Sequence, residues 1–261
     1  MMQVGAIAVV LASTALHAFE LDRFFVPKEL VLHLTAVLVA VMAARAATTR
    51  VDLWLLGFLA LSGVSAIFAT NPWLAMRALA ITASSLVLFR AARAVPSEKL
   101  VHGLAVAVVA TVATALLQAY GVETLFFSES RAPGGTLGNR NFVAHVAAFG
   151  APLLLLSALR ARRFAGYAIA SIGAAVVIAT LVLTRSRAAW LAAAVVLLVL
   201  LIGVMRARAW KRFVLIVVFA GAGAAAALLI PNTLRWRSDN PYVDSLTGVI
   251  EYDEGSGRGR L

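Results

Sequence analysis

The sequence predicts an all-α fold, a polytopic bundle of about nine transmembrane helices. Of its 261 residues, 62% are hydrophobic and only 13% are charged, and the mean hydropathy is +0.93. Soluble domains are about 45–50% apolar and about 25% charged. Apolar runs long enough to cross roughly 30 Å of hydrocarbon also recur along the whole chain. We therefore expect the lipid bilayer to be the solvent of this protein.

Nine apolar runs are expected to form the helices. The first run has neither a basic segment before it nor a small-residue cleavage site, which favours a retained helix over a signal peptide. The second and fourth runs are the shortest, and the fourth could be a re-entrant or strongly tilted segment. The runs are Met2–Phe19, Leu30–Ala44, Leu53–Ala69, Trp73–Phe89, Leu100–Tyr120, Phe142–Leu159, Ala165–Leu183, Ala188–Val204 and Phe213–Ile230.

The distribution of lysine and arginine predicts the orientation. Loops after the even-numbered helices carry twelve of these residues, whereas loops after the odd-numbered helices carry seven. Because short cytoplasmic loops are enriched in positive charge, the even loops and the N-terminus should be cytoplasmic. The loops after the fifth and seventh helices and the C-terminal tail then share the outer face. Trp73, Trp190 and Trp236 fall at this face, as in an aromatic belt.

The chain divides by composition into a membrane domain, residues 1–230, and a polar tail, residues 231–261. The tail holds five of the twelve acidic residues and four arginines. It ends on GSGRGRL, with no terminating element. We interpret it as the start of an extracytoplasmic segment that is cut off.

Several classes of function are disfavoured by composition. The net charge of +11 is spread between apolar runs, so we expect no nucleic-acid partner. No cysteine is present, and no cofactor fingerprint of the dinucleotide or P-loop type occurs. No Asp, Glu or Lys lies in a predicted helix core, which counts against an ion-coupled transporter. The four histidines lack metal-ligand spacing, so we expect no metal; they are His17, His33, His102 and His145.

The first candidate site is the glycine-rich loop Arg131–Phe142. Its three glycines permit positive φ angles and close backbone approach to a ligand. Asn139 and Asn141 add donors and acceptors, and Arg140 adds positive charge. An ordinary connecting turn would explain the loop alone. Its predicted place on the outer face, near a second basic turn, favours a binding role. Gln118, in the preceding apolar run, is a weak signal because such side chains usually bond within the helix bundle.

The second candidate is the turn Leu183–Trp190, which carries Arg185 and Arg187. One interpretation is that both arginines snorkel to the lipid headgroups or contact lipid phosphates. The other is capture of a phosphate or pyrophosphate, since the planar guanidinium suits bidentate contact. A basic turn on the outer face runs against the positive-inside rule, which argues for a role beyond topology.

Three segments together resemble the O-antigen ligase and O-antigen polymerase family of bacterial inner-membrane glycan transferases. Gly135–Phe142 (GTLGNRNF) resembles the family's G-T-x-G-N-P-N-x signature, with Arg140 in place of the usual proline. Thr184–Trp190 resembles its T-x-S-R-x-x-W turn. Gly255–Leu261 resembles the segment that leads into its large periplasmic loop. The family's catalytic histidine would lie beyond Leu261, so the catalytic residues are unknown and the chain is expected to be an N-terminal part.

The resemblance implies a glycosyltransferase of lipopolysaccharide biosynthesis, in the inner membrane with a periplasmic functional face. It would transfer an oligosaccharide from undecaprenyl pyrophosphate to a sugar hydroxyl on lipid A–core or on a growing polymer, without a cofactor. The expected pyrophosphate ligands are Arg187 first, then Arg258 or Arg260, with Asn139 and Asn141 shaping the pocket and Arg140 and Arg185 secondary.

Two alternatives remain open at this point. A lipid-linked glycan flippase or transporter would be expected to carry a polar cavity through its bundle. A truncated membrane fragment would have no catalytic activity.

Overall fold

The computed structural model describes residues 1–16, 22–128, 131–206, 210–236 and 241–250. Within these ranges it contains α-helices, one short 3-10 turn and no strand. Eight helices, α2 to α9, are long and apolar enough to cross a membrane. The all-α, polytopic bundle is therefore confirmed. The helices are α1 (Met2–Leu11), α2 (Asp22–Arg45), α3 (Arg50–Ile67), α4 (Pro72–Arg93), α5 (Ser97–Ala119), α6 (Arg140–Arg160), α7 (Phe164–Thr184), α8 (Arg187–Arg206), α9 (Trp210–Leu229) and α10 (Pro241–Ile250), and the 3-10 turn is Gly135–Leu137.

The first predicted helix, Met2–Phe19, is wrong over residues 12–16, and residues 17–19 lie outside the described residues. Residues 12–16 are not helical, because their backbone groups find other partners. The Thr14 amide donates to the Arg23 carbonyl at 3.0 Å, and the Lys28 ammonium donates to the Ala12 carbonyl. The remaining ten residues reach only about 15 Å, half of the hydrocarbon thickness. The described residues thus hold eight candidate spans instead of nine, and the cytoplasmic N-terminus stays a prediction.

The second and fourth helices are longer than predicted. α2 begins at Asp22 instead of Leu30, so its first third contains charged residues that the predicted helix excluded. α4 begins with Pro72 after Asn71, whose side-chain oxygen accepts from the Leu74 amide at 3.1 Å. A capping asparagine followed by proline is a strong start signal for a helix. With 22 residues, α4 is long enough for a full crossing.

The chain forms two compact units, residues 1–104 and residues 105–261. In the first unit, α2 packs against α4, and α1 and α3 pack beside them. Arg77 of α4 donates two hydrogen bonds to Glu29 of α2, at 2.6 and 2.8 Å. Deeper in the same interface, the His33 ring nitrogen lies 2.7 Å from the Ser84 hydroxyl oxygen. These contacts set the register of the two helices.

The other end of this unit is organised by Asp52, whose side chain is fully buried. Its carboxylate accepts from the Thr49 backbone amide and hydroxyl, which caps the start of α3. Arg93 donates to both carboxylate oxygens, at 2.7 and 2.6 Å, and Arg90 lies 3.3 Å away. This buried charge is thus fully paired.

In the second unit, α7 is central and packs against both α6 and α9. Small residues let the helices approach closely, as is common in membrane bundles. A Cβ atom at Gly223 of α9 would lie 2.2 Å from the Ala175 carbonyl oxygen of α7. A Cβ at Gly150 of α6 would lie 2.1 Å from a Val108 methyl group of α5. Glycine is therefore required at both contacts.

The first part of the predicted tail is packed onto this second unit. The Thr233 amide and hydroxyl both donate to the Ala119 carbonyl at the end of α5, at 2.9 and 3.1 Å. Residues 241–250 form α10, a helix that composition did not predict. Tyr242 of α10 packs against a cluster that includes Leu183 and Ala227. Residues 251–261 lie outside the described residues.

Candidate functional site

The glycine-rich loop is held against α5 by Gln118. The side-chain oxygen of Gln118 accepts from the backbone amides of Gly134 and Gly135, at 2.8 and 2.9 Å. Its side-chain nitrogen donates to the Ser128 carbonyl at 2.8 Å. One half-buried side-chain amide thus contacts both sides of the loop. Because they are already bonded, the two glycine amides do not form an open cradle for a phosphate.

The loop glycines serve close packing and turning. Gly135 has a φ of +49°, and a Cβ there would lie 2.3 Å from the Thr114 hydroxyl oxygen and 2.8 Å from the Ala115 nitrogen. Thr114 also accepts from the Thr136 amide at 3.2 Å. Gly138 ends the 3-10 turn with a φ of +68°. At Gly135, only glycine tolerates both the close contact with Thr114 and the positive φ angle.

The loop sets the start of α6 and the position of Arg140. Asn139 is the N-cap, and its side-chain oxygen accepts from the Asn141 amide at 2.9 Å. The Arg140 amide donates to the Arg131 carbonyl at 3.2 Å, which closes the loop. Neither asparagine lines the cavity described below. Their part in binding stays a prediction.

The second candidate turn has an unusual backbone. Arg185 caps α7 with a φ of +54°, in the left-handed region that non-glycine residues seldom adopt. The turn is held from within: the Thr184 hydroxyl donates to the Leu181 carbonyl at 2.8 Å, and so does the Trp190 indole, at 2.8 Å. Strained residues of this kind occur often at binding sites.

Both arginine segments border one cavity of about 960 Å³. The end of α5 forms one wall: Gly121 has a φ of +92° and the Val122 amide donates to the Leu117 carbonyl at 2.9 Å, a Schellman ending. The cavity is polar and lies at helix ends. Its lining residues are Gln118, Gly121, Val122, Glu123, Thr124, Phe127, Ala132, Arg140, Arg185, Thr233, Leu234, Arg235 and Trp236.

Trp236 brings the two arginines together. The guanidinium carbon of Arg140 lies 5.0 Å from the centroid of the indole ring, and that of Arg185 lies 4.7 Å from it. Both distances are within the range of cation–π attraction. Arg185 is held further by α10, since its Nε donates to the Ser245 hydroxyl at 2.9 Å. Among the described residues, neither arginine forms an ion pair.

The cavity lining carries more positive than negative side chains: Arg140, Arg185 and Arg235 against Glu123. Burial lowers the pKa of the Arg185 guanidinium, and the charges of Arg140 and Arg187 act in the same direction. Asp244 and Tyr242 act in the opposite direction. Arginine remains protonated in proteins, so the cations stay charged despite this repulsion. An anion in the cavity would relieve the repulsion and use the free guanidinium nitrogens.

A second cavity, of about 310 Å³, lies between α6, α7, α8 and α9. Every residue that lines it is apolar, among them Leu155, Ile178 and Phe213. It offers no partner for a charged group, so the first cavity is the candidate site for binding an anion.

Comparisons with protein-family models, with curated proteins and with solved structures found no match to this chain. Functional inference therefore rests on the residues of the site. Within the described ranges, no group of three His, Asp or Glu side chains could hold a metal ion.

The structure brings together only some of the residues expected from sequence. Arg140 and Arg185 line the cavity, whereas Arg187 is exposed at the start of α8 and is not part of the lining. Arg258 and Arg260 lie outside the described residues.

Sequence reasoning missed Gln118, Glu123, Arg235 and Trp236 as lining residues. The visible signal for Gln118 is a glutamine within an apolar run. The placement of Trp236 depends on contacts between distant parts of the chain, which no local pattern encodes.

Proposed function

We propose that this chain is a membrane glycan transferase of the O-antigen ligase type, and that its polar cavity binds the pyrophosphate of undecaprenyl-pyrophosphate-linked glycan. The observation that supports this is the meeting of Arg140 and Arg185 at Trp236. Each arginine lies in one of the three segments that carry the family resemblance, Arg140 at the position of the family's usual proline and Arg185 at a variable position. Two cations without an ion-pair partner among the described residues suit a ligand with more than one negative charge.

The chemistry of transfer makes use of such a site. As an acceptor sugar hydroxyl attacks the anomeric carbon, the bond from that carbon to the pyrophosphate oxygen breaks, and the electron pair stays on the leaving pyrophosphate. Fixed cations at the leaving group lower the barrier by stabilising this charge. Arg140 and Arg185 take this role, with Arg187 beside them. The general base that the acceptor requires is not assigned to a described residue.

The location of the cavity also fits a lipid donor. Its lining comes from the ends of α5, α6 and α7 and from the segment after α9. Ends of membrane spans lie near the headgroups, where a lipid pyrophosphate resides while its hydrocarbon stays in the bilayer. The lysine and arginine bias predicts that these ends face the periplasm.

A binding measurement tests the donor role. The full chain in lipid nanodiscs is titrated with undecaprenyl pyrophosphate, with undecaprenol as the uncharged control lipid. We expect saturable binding of the pyrophosphate alone, weakened by roughly 300- to 1000-fold in an Arg140→Ala/Arg185→Ala double variant. Arg206→Ala, which removes an exposed arginine at the other end of α8, is the matched control and should bind normally. Equal binding of undecaprenol, or normal binding by the double variant, would refute the proposal.

Transport is distinguished from transfer in proteoliposomes that contain a lipid-linked oligosaccharide and an acceptor glycan. A transferase releases undecaprenyl pyrophosphate and forms a new glycosidic bond. A flippase moves the intact lipid-linked glycan to the other leaflet. Movement without cleavage would replace the transferase proposal by the transporter.

A further inference from the structure

We propose that Trp236 is a positioning residue that holds Arg140 and Arg185 together as one anion-binding pair. The proposed function supplies only the natural ligand, a lipid pyrophosphate. The pairing itself concerns any anion that both guanidinium groups can contact at once.

Two cations do not stay close without a reason. Since both guanidinium carbons lie within 5.0 Å of one ring centroid, they are at most about 10 Å apart. That is close to the screening length of about 8–10 Å at physiological ionic strength, so their repulsion is felt. No described carboxylate forms an ion pair with either. The electron-rich face of the indole is the group that attracts both.

The backbone before the indole is anchored to the end of α5. The preceding segment is anchored at Thr233, which donates twice to the Ala119 carbonyl at the end of α5. The Leu234 amide donates to the Asn232 side chain at 3.1 Å, and the Leu234 side chain packs against the buried cluster around Leu183. The backbone that leads to Trp236 is therefore anchored two and three residues before the indole.

The two arginines depend on Trp236 to different degrees. Arg185 is also held by its hydrogen bond to Ser245 and by its own left-handed backbone. Arg140 has no other side-chain partner among the described residues. Removal of the indole should therefore release Arg140 more than Arg185. This asymmetry separates a positioning role from a general loss of structure.

A double-mutant cycle measures the pairing. The full chain in detergent micelles is titrated with inorganic pyrophosphate, for the wild type, Trp236→Leu, Arg140→Ala, Arg185→Ala and the two double variants. We expect Trp236→Leu to weaken binding about tenfold, and to weaken it less than about twofold when Arg140 is already alanine. In the Arg185→Ala background most of the tenfold effect should remain.

Two further variants secure the interpretation. Trp236→Phe keeps an aromatic face and should restore binding to within about threefold of the wild type; it also provides a measurement if the leucine variant does not fold. Trp210→Leu removes an indole that packs edge-on against Phe213 at 5.7 Å, and it should leave binding unchanged.

Each outcome decides one proposal. An effect of Trp236→Leu that is the same with and without Arg140 would overturn the positioning role and leave the donor site intact. Coupling with inorganic pyrophosphate, but no binding of undecaprenyl pyrophosphate, would keep the pairing and refute the proposed function. Absence of inorganic pyrophosphate binding by the wild type would overturn the anion-binding pair, whereas the nanodisc titration with undecaprenyl pyrophosphate decides the donor role.

Discussion

The two compact units use charge in opposite ways. In residues 1–104, acidic side chains are matched by arginine: Glu29 by Arg77, and Asp52 by Arg90 and Arg93. In residues 105–261, the cavity arginines face an open polar space and make no ion pair with a described residue. An aromatic ring holds them instead.

The charged side chains of the first unit hold helices together, whereas those of the cavity are available to bind a ligand. A buried ion pair fixes the register of its helices, and breaking it leaves one charge uncompensated. Clustered cations without a partner cost stability, so their retention points to an anion that binds there. Substitutions in the first unit should therefore change stability, and substitutions at the cavity should change affinity.

The largest expected effect is at Arg185. Arg185→Ala should weaken undecaprenyl pyrophosphate binding by roughly 30- to 100-fold, because charge-assisted hydrogen bonds from the guanidinium are lost. Arg187→Ala should weaken it less than about fivefold, since Arg187 is outside the lining and acts through longer-range attraction. Titrations in nanodiscs measure both. A larger effect at Arg187 than at Arg185 would show that the turn binds in another conformation.

A smaller but distinct effect is expected at Glu29. Glu29→Gln removes the negative charge that accepts two hydrogen bonds from Arg77 and should destabilise the chain by about 2 kcal/mol, with pyrophosphate affinity unchanged. Thermal unfolding in detergent, followed by circular dichroism, measures the loss. Glu98→Gln, at an exposed residue in the first turn of α5, is the matched control. A loss of pyrophosphate affinity in Glu29→Gln, in addition to the loss of stability, would contradict the separation between the structural charges of the first unit and the ligand-binding charges of the cavity.

The smallest of the three effects is expected at Gln118. Gln118→Leu leaves the Gly134 and Gly135 amides without their acceptor, so the loop should shift and displace Arg140, with affinity reduced about tenfold. Gln3→Leu, which removes an exposed glutamine from the first unit, should leave affinity unchanged. Affinity equal to that of the wild type in Gln118→Leu would mean that the loop does not position the cavity arginine.

Much of the fold was predictable because hydropathy depends on composition alone. The apolar runs gave the eight candidate spans, and short polar signals such as Asn139 marked helix starts. The errors have local causes. The apolar run of the first helix continues past Leu11, whereas the backbone of residues 12–16 bonds elsewhere. The short α10 was missed because a polar segment gave no hydropathy signal.

The site was predictable by residue type but not by arrangement. Arginines in two outer turns suggested an anion site, and the structure places Arg140 and Arg185 at one cavity. The glycines were expected to approach a ligand, and they approach α5 instead. Trp236 was expected only at a membrane interface. Its contact with both arginines joins segments that are far apart in sequence, which only the packed bundle brings together.

The most direct test is residue-resolved labelling of arginines with phenylglyoxal, with and without undecaprenyl pyrophosphate, read by mass spectrometry on the full chain in nanodiscs. The account requires that Arg140 and Arg185 react without the lipid and are protected by it. It also requires that Arg77 and Arg93, which are held by carboxylates, react slowly and equally in both conditions. Protection of all four arginines alike, or none at Arg140 and Arg185, would contradict the account.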